Sequence, residues 1–191
     1  MKRLLSTAFR RRLGRFGRDE RGVTLIEFGL LALPFFTVIC AILETSLMFL
    51  AGQILDSAVQ DSGRLIRTGQ AQAAGYTAEN FRTAICNGLY GMFDCTKVRV
   101  NVSVVANFDT ATMTYPISTG EDCTPLKCDW KLVDSYNPGM GSDVILVQAF
   151  YKWPTLVHLP GFNLQDQPDG TRLLGAVRVF RNEPFGCTAC I

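Results

Sequence analysis

The chain has 191 residues, 48% of them hydrophobic, and a formal net charge of +2. That length allows one ordinary domain and a membrane anchor, and the hydrophobic fraction is high for a purely soluble protein. The charge is unevenly divided: residues 1–22 hold eight basic and two acidic residues, so they carry +6 and the remainder carries −4. A basic cluster directly before an apolar run sets membrane orientation more often than it binds nucleic acid, so we expect no nucleic-acid partner.

A long apolar run follows the basic segment. Residues 28–43 contain no charged side chain, and after Glu44 the next charge is Asp56. A helix over 28–43 is about 24 Å long, short of the ~30 Å bilayer core, whereas a helix extended to Leu50 spans it. The positive-inside rule then places residues 1–22 in the cytoplasm and the C-terminal part across the membrane.

Beyond Glu44 the pattern becomes amphipathic. Apolar residues recur at three-, four- or seven-residue spacing, namely Leu47, Leu50, Ala51, Ile54, Ala58 and Leu65. This spacing predicts one helix that continues outward to about Thr68 and stops at Gly69. Pro34 predicts a tolerated kink in the apolar part. The outer half of the helix needs a surface to pack on, either the chain's own C-terminal domain or another subunit.

The C-terminal part predicts a small α+β domain. Residues 76–90 have a helical stripe of Phe81, Ile85 and Leu89, with Thr77 as the cap. The period then changes to two, and a half-buried strand is predicted on Val98, Val100, Val102 and Val104. Further strands are expected at 143–151, buried on both faces, and at 173–181.

Residues 111–118 are a weaker strand candidate that could pair with the valine strand, although Pro116 places them at an edge or in a loop. Residues 119–142 and 153–170 are expected to be loops. These elements predict an antiparallel sheet of three or four strands, packed by the outer half of the long helix and by 77–90.

Seven cysteines divide between the two sides of the predicted membrane. Cys40 lies inside the apolar run, where a small buried thiol needs no further explanation. The other six fall in the part predicted to be outside, where a disulfide framework is expected and 15 connectivities are open. The simplest hypothesis joins sequence neighbours: Cys86 with Cys95, Cys123 with Cys128, and Cys187 with Cys190.

The residues offer little for catalysis. His158 is the only histidine, and the acid pairs Glu121 with Asp122 and Asp166 with Asp169 lie in predicted loops. None of the common nucleotide, hydrolase or metalloprotease motifs is present in the sequence. Cys187 and Cys190 have redox or zinc-ligand spacing, with Cys123 and Cys128 as further zinc ligands, but a structural disulfide is favoured outside the cell. We therefore expect no enzyme activity, no cofactor, no metal and no small-molecule substrate.

The junction between the basic segment and the apolar run carries the most specific motif, GVTLIEF at residues 22–28. Glu27 stands out because a carboxylate deep in a membrane costs about 2.5–3.5 kcal/mol, unless it lies at headgroup level. A basic leader, Gly22, and then an acid and an aromatic residue at the start of an apolar helix resemble the type III signal of pilins. More closely they resemble the TadE-like proteins of the Flp (Tad) pilus system, as do residues 63–70 and, less specifically, 180–185.

The resemblance implies that a prepilin peptidase cleaves after Gly22 on the cytoplasmic face and leaves Val23 as the mature N-terminus. It implies that Glu27, then the fifth residue, meets the free α-amine of a neighbouring subunit. Phe28 occupies the place where family members usually have an aromatic residue. The implied partners are inner-membrane lipid, the prepilin peptidase, other pilins or pseudopilins and the pilus assembly platform.

Three segments are therefore expected: a basic cytoplasmic leader at 1–22, a transmembrane helix with an amphipathic extension at 23–70, and a periplasmic disulfide-containing domain at 71–191. The favoured hypothesis is a minor pilin or pseudopilin, anchored in the bacterial inner membrane, that acts in assembly of a Flp/Tad-type pilus and can itself be incorporated into it. The alternative is a signal-anchored periplasmic binding or thiol-redox protein unrelated to pili.

Overall fold

The computed structural model of the protein describes residues 22–113, 115–118, 123–125, 128–156, 158–159 and 162–186, with residues 158, 159 and 162 described by their backbone alone. The leader at 1–21 and the pair Cys187 and Cys190 lie outside the described residues. The chain divides into two units, the first ending at Leu43 and the second running from Glu44 to Ile191.

The dominant element is helix α1, which runs for 45 residues from Val23 to Arg67 and includes Pro34. Two basic residues, Arg64 and Arg67, lie in its last turn, where cations interact favourably with the helix dipole. The helix ends before Gly69, whose φ of +77° is a left-handed conformation that glycine adopts at little cost. The stop predicted from Thr68 and Gly69 is thus confirmed.

Two shorter helices follow, α2 (Gln70–Ala73) and α3 (Ala78–Asn87). Thr77 caps α3 as predicted: its hydroxyl accepts a hydrogen bond from the Asn80 amide at 3.3 Å, while the Asn80 side chain accepts one from the Thr77 amide at 3.0 Å. This reciprocal capping box satisfies two backbone donors that the helix leaves open.

The main sheet contains β1 (Arg99–Val105), β2 (Ser135–Tyr136), β3 (Val144–Pro154) and β6 (Thr171–Arg181) in the order β2-β1-β3-β6. The pairs β1–β3 and β3–β6 are antiparallel, but β2 runs parallel to β1. The sheet is therefore mixed, and the prediction of an antiparallel sheet is corrected by this one short strand. A separate hairpin joins β4 (His158–Leu159) to β5 (Phe162–Asn163), within the segment predicted to be a loop.

The prediction that 111–118 could pair with the valine strand is wrong for the described residues of that segment. Ile117 instead forms an isolated bridge with Trp130, and the Ser118 amide donates to the Asp129 carbonyl at 3.1 Å. The position beside β1 is taken by β2.

The core lies between the helices and one face of the sheet. Its fully buried members come from α1, α3, β1 and β3, and include Leu55, Val59, Ile66, Phe81, Ile85, Val102, Ile145 and Val147. Residues 144–151 of β3 are buried on both faces, as predicted. Val104 is 40% exposed, so the burial expected from the valine alternation ends at Val102.

The outer half of α1 packs on the chain's own domain. Its buried stripe includes Ala51, Leu55, Ala58, Val59, Ser62, Gly63 and Ile66, which recur every three to four residues. Leu47 and Leu50, predicted on the packed face, are 50% and 49% exposed, because the buried stripe at this level passes through Met48 and Ala51 instead.

Candidate functional site

The start of α1 holds the four residues of the predicted processing site. Gly22 directly precedes the helix, and a Cβ added to it would meet no atom within 4 Å. Packing in the described chain therefore gives no reason for a glycine at this position. Val23 is the first helical residue and is 45% exposed.

Glu27 and Phe28 lie on the first turns of α1, and both are exposed, Phe28 by 66%. No hydrogen bond or ion pair joins the Glu27 carboxylate to another of the residues that the structure describes. Because a carboxylate without a partner is costly in hydrocarbon, a membrane-embedded Glu27 needs a partner from outside the described residues.

The described part of the first unit exposes many large apolar side chains. Its exposed large side chains include Leu25, Ile26, Leu30, Leu31, Leu33, Phe35, Phe36 and Val38, each more than half exposed. The best 18-residue window of α1 has a mean hydropathy of 2.3, so by length and composition the helix can cross a membrane. Cys40 belongs to this exposed surface as a free thiol, so the chain does not bury it as expected.

Glu44 is a site residue that the sequence reasoning missed. It is only 7% exposed, and its Oε1 accepts a hydrogen bond from the Leu156 amide at 2.5 Å. The sequence signal is a single acid at the end of an uncharged run, but the residue that binds it lies 112 positions later in the chain. Buried carboxyls are rare unless a donor satisfies them, so this contact fixes the backbone at Leu156 beside α1.

Glycines of the outer α1 and its end accept aromatic rings from the C-terminal part of the second unit. A Cβ at Gly63 would lie 3.1 Å from the Phe180 ring, and a Cβ at Gly69 would lie 2.8 Å from the Phe185 ring. These close approaches let β6 and the segment after it lie against the helix.

Polar contacts join the same elements. Asp56 on α1 forms an ion pair with Arg178 on β6. At the end of the helix, the Glu183 amide donates to the Arg67 carbonyl at 2.9 Å, and the two side chains form an ion pair at 3.6 Å. The outer helix and the C-terminal strand are therefore held in one register by both backbone and side-chain contacts.

A groove of about 610 Å³ lies between α2 and the segment around Pro138. The Gln72 side chain donates to the Pro138 carbonyl at 3.0 Å, while its oxygen and the Tyr136 hydroxyl are buried without a partner among the described residues. Burial, and secondarily the neighbouring Tyr76, raises the pKa of Tyr136 to about 12. The phenol therefore stays protonated at neutral pH and is unsuited to act as a base there.

Two cysteine pairs are joined in the structure. Cys86 at the end of α3 bonds to Cys95 in the short 3₁₀ turn before β1, and Cys123 bonds to Cys128. The Lys152 ammonium binds the Cys128 carbonyl and lies 5.4 Å from the Trp130 ring centroid, which places the second disulfide beside the sheet. Because Cys123 and Cys128 are bonded to each other, they are not available as zinc ligands in this state.

Asp166 and Asp169, one of the acid pairs considered for catalysis, do not form a coupled site. Asp166 pairs with Arg172 at 3.4 Å, and Asp169 pairs with Lys152 at 2.8 Å. Burial tends to raise the pKa of Asp169, but hydrogen bonds from Lys152 and Thr171 outweigh it and lower the pKa.

The remaining candidates lie outside what the structure describes. Glu121 and Asp122 fall outside the described residues, and so does the side chain of His158. Within the described part of the chain, no group of three or more His, Cys, Asp or Glu residues could hold a metal.

The comparison with known families matches the start of this arrangement. Residues 22–64 match the family model described as TadE-like protein, whereas no curated protein and no solved structure matches the chain. The match covers the predicted processing site, the apolar part of α1 and most of its packed outer half. TadE-like proteins are a family of pilus components, not known as enzymes. Through residues 22–64 the chain thus matches the TadE-like family, and it is consistent with a TadE-like protein of the Tad pilus system.

Proposed function

We propose that the protein is a membrane-anchored minor pilin or pseudopilin that acts without catalysis in assembly of a Flp/Tad-type pilus. It primes or caps the filament, or stays in the assembly platform. One observation supports this most: Gly22 directly precedes a 45-residue helix whose first turns expose an acid and an aromatic residue, and whose residues 28–43 are uncharged. The TadE-like match over 22–64 covers the same residues.

The three parts of the chain then have separate tasks. Residues 1–22 are a cytoplasmic leader that a prepilin peptidase removes after Gly22. Residues 23–70 anchor the protein once through the bacterial inner membrane and extend into the periplasm. Residues 71–191 form the periplasmic domain, whose oxidising surroundings suit the two disulfides. The positive charge of the leader orients this arrangement.

Glu27 is the assembly residue in this proposal. Its exposure leaves it accessible to a neighbouring subunit, and the α-amine released at Val23 is the group of opposite charge that the proposal assigns to it. Pairing the two offsets the cost of placing either charge in hydrocarbon, about 2.5–3.5 kcal/mol for a carboxylate at mid-membrane. A neutral amide at this position keeps the shape but loses most of that attraction.

The experiment compares Glu27→Gln with Glu79→Gln, which changes an exposed acid on α3 in the same way. Both variants are expected to enter the membrane fraction like the parent protein. Glu27→Gln alone is expected to reduce cross-linking to other pilin-like subunits and to reduce piliation. Unchanged cross-linking and piliation in Glu27→Gln would contradict the pairing role.

A further inference from the structure

The hydrogen bond to Glu44 places an exposed apolar residue, Leu156, beside α1 at the level of Glu44. Leu156 is 83% exposed, although its backbone amide is held at 2.5 Å by the Glu44 carboxyl. The preceding Thr155 is buried, and its hydroxyl donates to the Gly170 carbonyl at 2.8 Å. Two consecutive residues, Thr155 and Leu156, are therefore held by hydrogen bonds, while most of the Leu156 side chain is exposed.

The level of Glu44 follows from the length of the helix. A bilayer core of ~30 Å takes about 20 helical residues, so it ends near Ile42 if it begins at Val23 and near Leu47 if it begins at Phe28. Glu44 then lies within about 5 Å of the outer boundary of the hydrocarbon, at 1.5 Å per residue. A carboxyl at that level needs a hydrogen-bond donor and protection from lipid. The Leu156 amide is the donor, and Glu44 is only 7% exposed.

Other apolar residues near Glu44 in the second unit are also exposed. Leu47, Phe49 and Leu50 are 50%, 72% and 49% exposed. Beside them lies a groove of about 400 Å³ whose lining includes Met48, Phe49, Leu164, Leu173 and one basic residue, Arg172. The lining also includes the polar residues Thr45 and Gln53, and Arg172 pairs with Asp166 at 3.4 Å, so the apolar side chains are the part of the groove that suits an acyl chain.

We propose that the second unit has a membrane contact of its own, in which Leu156 enters the outer leaflet beside α1 and lipid fills the groove at Phe49. Glu44 is the positioning residue, because it holds the Leu156 amide at the level of the outer hydrocarbon boundary. The inference rests on the proposed membrane anchoring by α1. Its consequence is that the domain is held at the bilayer surface at a second point and does not depend on the helix alone.

The test places an environment-sensitive fluorescent amino acid at one position at a time in the full-length protein, reconstituted in phosphatidylcholine nanodiscs with or without brominated acyl chains. The first position is 156, and the second is 36, in the apolar part of α1. The third is 90, where the native Tyr90 follows α3 in the sequence and is 82% exposed. Brominated lipid is expected to quench the labels at 36 and 156 and to leave the label at 90 unquenched.

A label at 156 that stays as bright as the one at 90, while 36 is quenched, would overturn the second contact and leave the anchor standing. This would also be the result if Leu156 docks on another protein. If 36 itself is unquenched, the anchoring proposal fails and the inference fails with it. The two failures are therefore distinguishable.

The role of Glu44 is tested on the same label. Glu44→Ala removes the acceptor for the Leu156 amide and is expected to shift the quenching at 156 toward the value at 90. Glu44→Gln keeps a side-chain oxygen at this position and is expected to retain most of the quenching. Equal quenching at 156 in both variants would overturn the positioning role of Glu44.

Discussion

At the scale of single residues, a glycine is required at position 69 for two independent reasons. Its φ is +77°, and a Cβ there would lie 2.8 Å from the Phe185 ring. We expect Gly69→Ala to lower the free energy of unfolding by about 1–3 kcal/mol from backbone strain alone, with the ring contact adding to the loss. Urea or thermal unfolding of the detergent-solubilised protein measures this change.

Gly52→Ala is the matched control, because Gly52 lies inside α1 and a Cβ there meets no atom within 4 Å. This substitution is expected to leave stability unchanged or to raise it by up to about 1 kcal/mol, since alanine is the better helix former. Equal effects of the two substitutions would show that the conformation and contacts of Gly69 are not what stabilises the end of the helix.

Asp169 gives the fold an acid-sensitive contact. Hydrogen bonds from Lys152 and Thr171 overcome the effect of burial and lower the pKa of Asp169. A lowered pKa stabilises the folded state above the ordinary value of about 3.9, and this stabilisation is lost as the pH falls through the lowered pKa. Asp169→Asn is therefore expected to be less stable than the parent at neutral pH, with the difference shrinking on acidification.

Unfolding curves at a series of pH values check this expectation. Asp109→Asn is the control, because Asp109 is exposed in a short 3₁₀ turn. It is expected to follow the parent protein across the series. A difference between parent and Asp169→Asn that stays constant down to acidic pH would contradict the assigned ion pair.

The residue scale also shows why one acid was predicted and another missed. Glu27 was singled out because a local motif, seven residues long, surrounds it. Glu44 has no local motif, and its burial depends on a backbone amide 112 positions away. The Glu44 carboxyl is buried and hydrogen-bonded only because the segment after β3 packs against α1. Periodicity in the sequence does not encode such a contact.

At the scale of elements, the Cys86–Cys95 disulfide ties the end of α3 to the turn that leads into β1. The two residues are 9 positions apart, and closing a loop of this size stabilises a fold by about 2–3 kcal/mol in the chain-entropy account. The double variant Cys86→Ser, Cys95→Ser is expected to unfold at a lower temperature than the parent.

Thermal unfolding with and without reductant separates this bond from the others. The parent is expected to lose more of its thermal stability on reduction than the double variant does, because the variant has already lost one bond. If reduction lowers the unfolding temperature of both proteins equally, the Cys86–Cys95 bond does not contribute to stability.

The elements that sequence patterns predicted are long ones. Helix α1, helix α3 and strand β1 show a regular period, and strands β3 and β6 were expected at 143–151 and 173–181, nine residues each. Strand β2 has two residues and is set by its neighbour Asp134, which accepts a hydrogen bond from the Val100 amide at 3.1 Å and pairs with Arg82 and Arg99. Long-range contacts of this kind leave no periodic trace, so the parallel pairing that makes the sheet mixed was not predicted.

The sequence pattern also did not predict where burial ends along strand β1. The valine alternation of β1 continues to Val104, but the buried face ends at Val102. Val104 lines the groove beside Pro138, where neighbouring elements no longer cover the strand. An alternating pattern predicts which face a residue is on, whereas coverage of that face depends on how far the packed helices extend.

At the scale of the whole molecule, one helix serves two units with different chemistry. No residue of α1 before Glu44 is buried by the chain, whereas from Glu44 to Ile66 the helix contributes nine buried residues to the second unit. The basic leader, the uncharged run and the disulfide-bonded domain follow each other in the order that an exported, anchored protein requires. This order is the physical basis for proposing a pilin-like anchor with an assembled domain.

The central claim is tested most directly by the intact mass of the protein extracted from membranes of cells that contain the pilus system. The account predicts a polypeptide that has lost residues 1–22 and begins at Val23, and it predicts that Gly22→Leu blocks this loss. Recovery of the native protein with Met1 still in place would contradict the account.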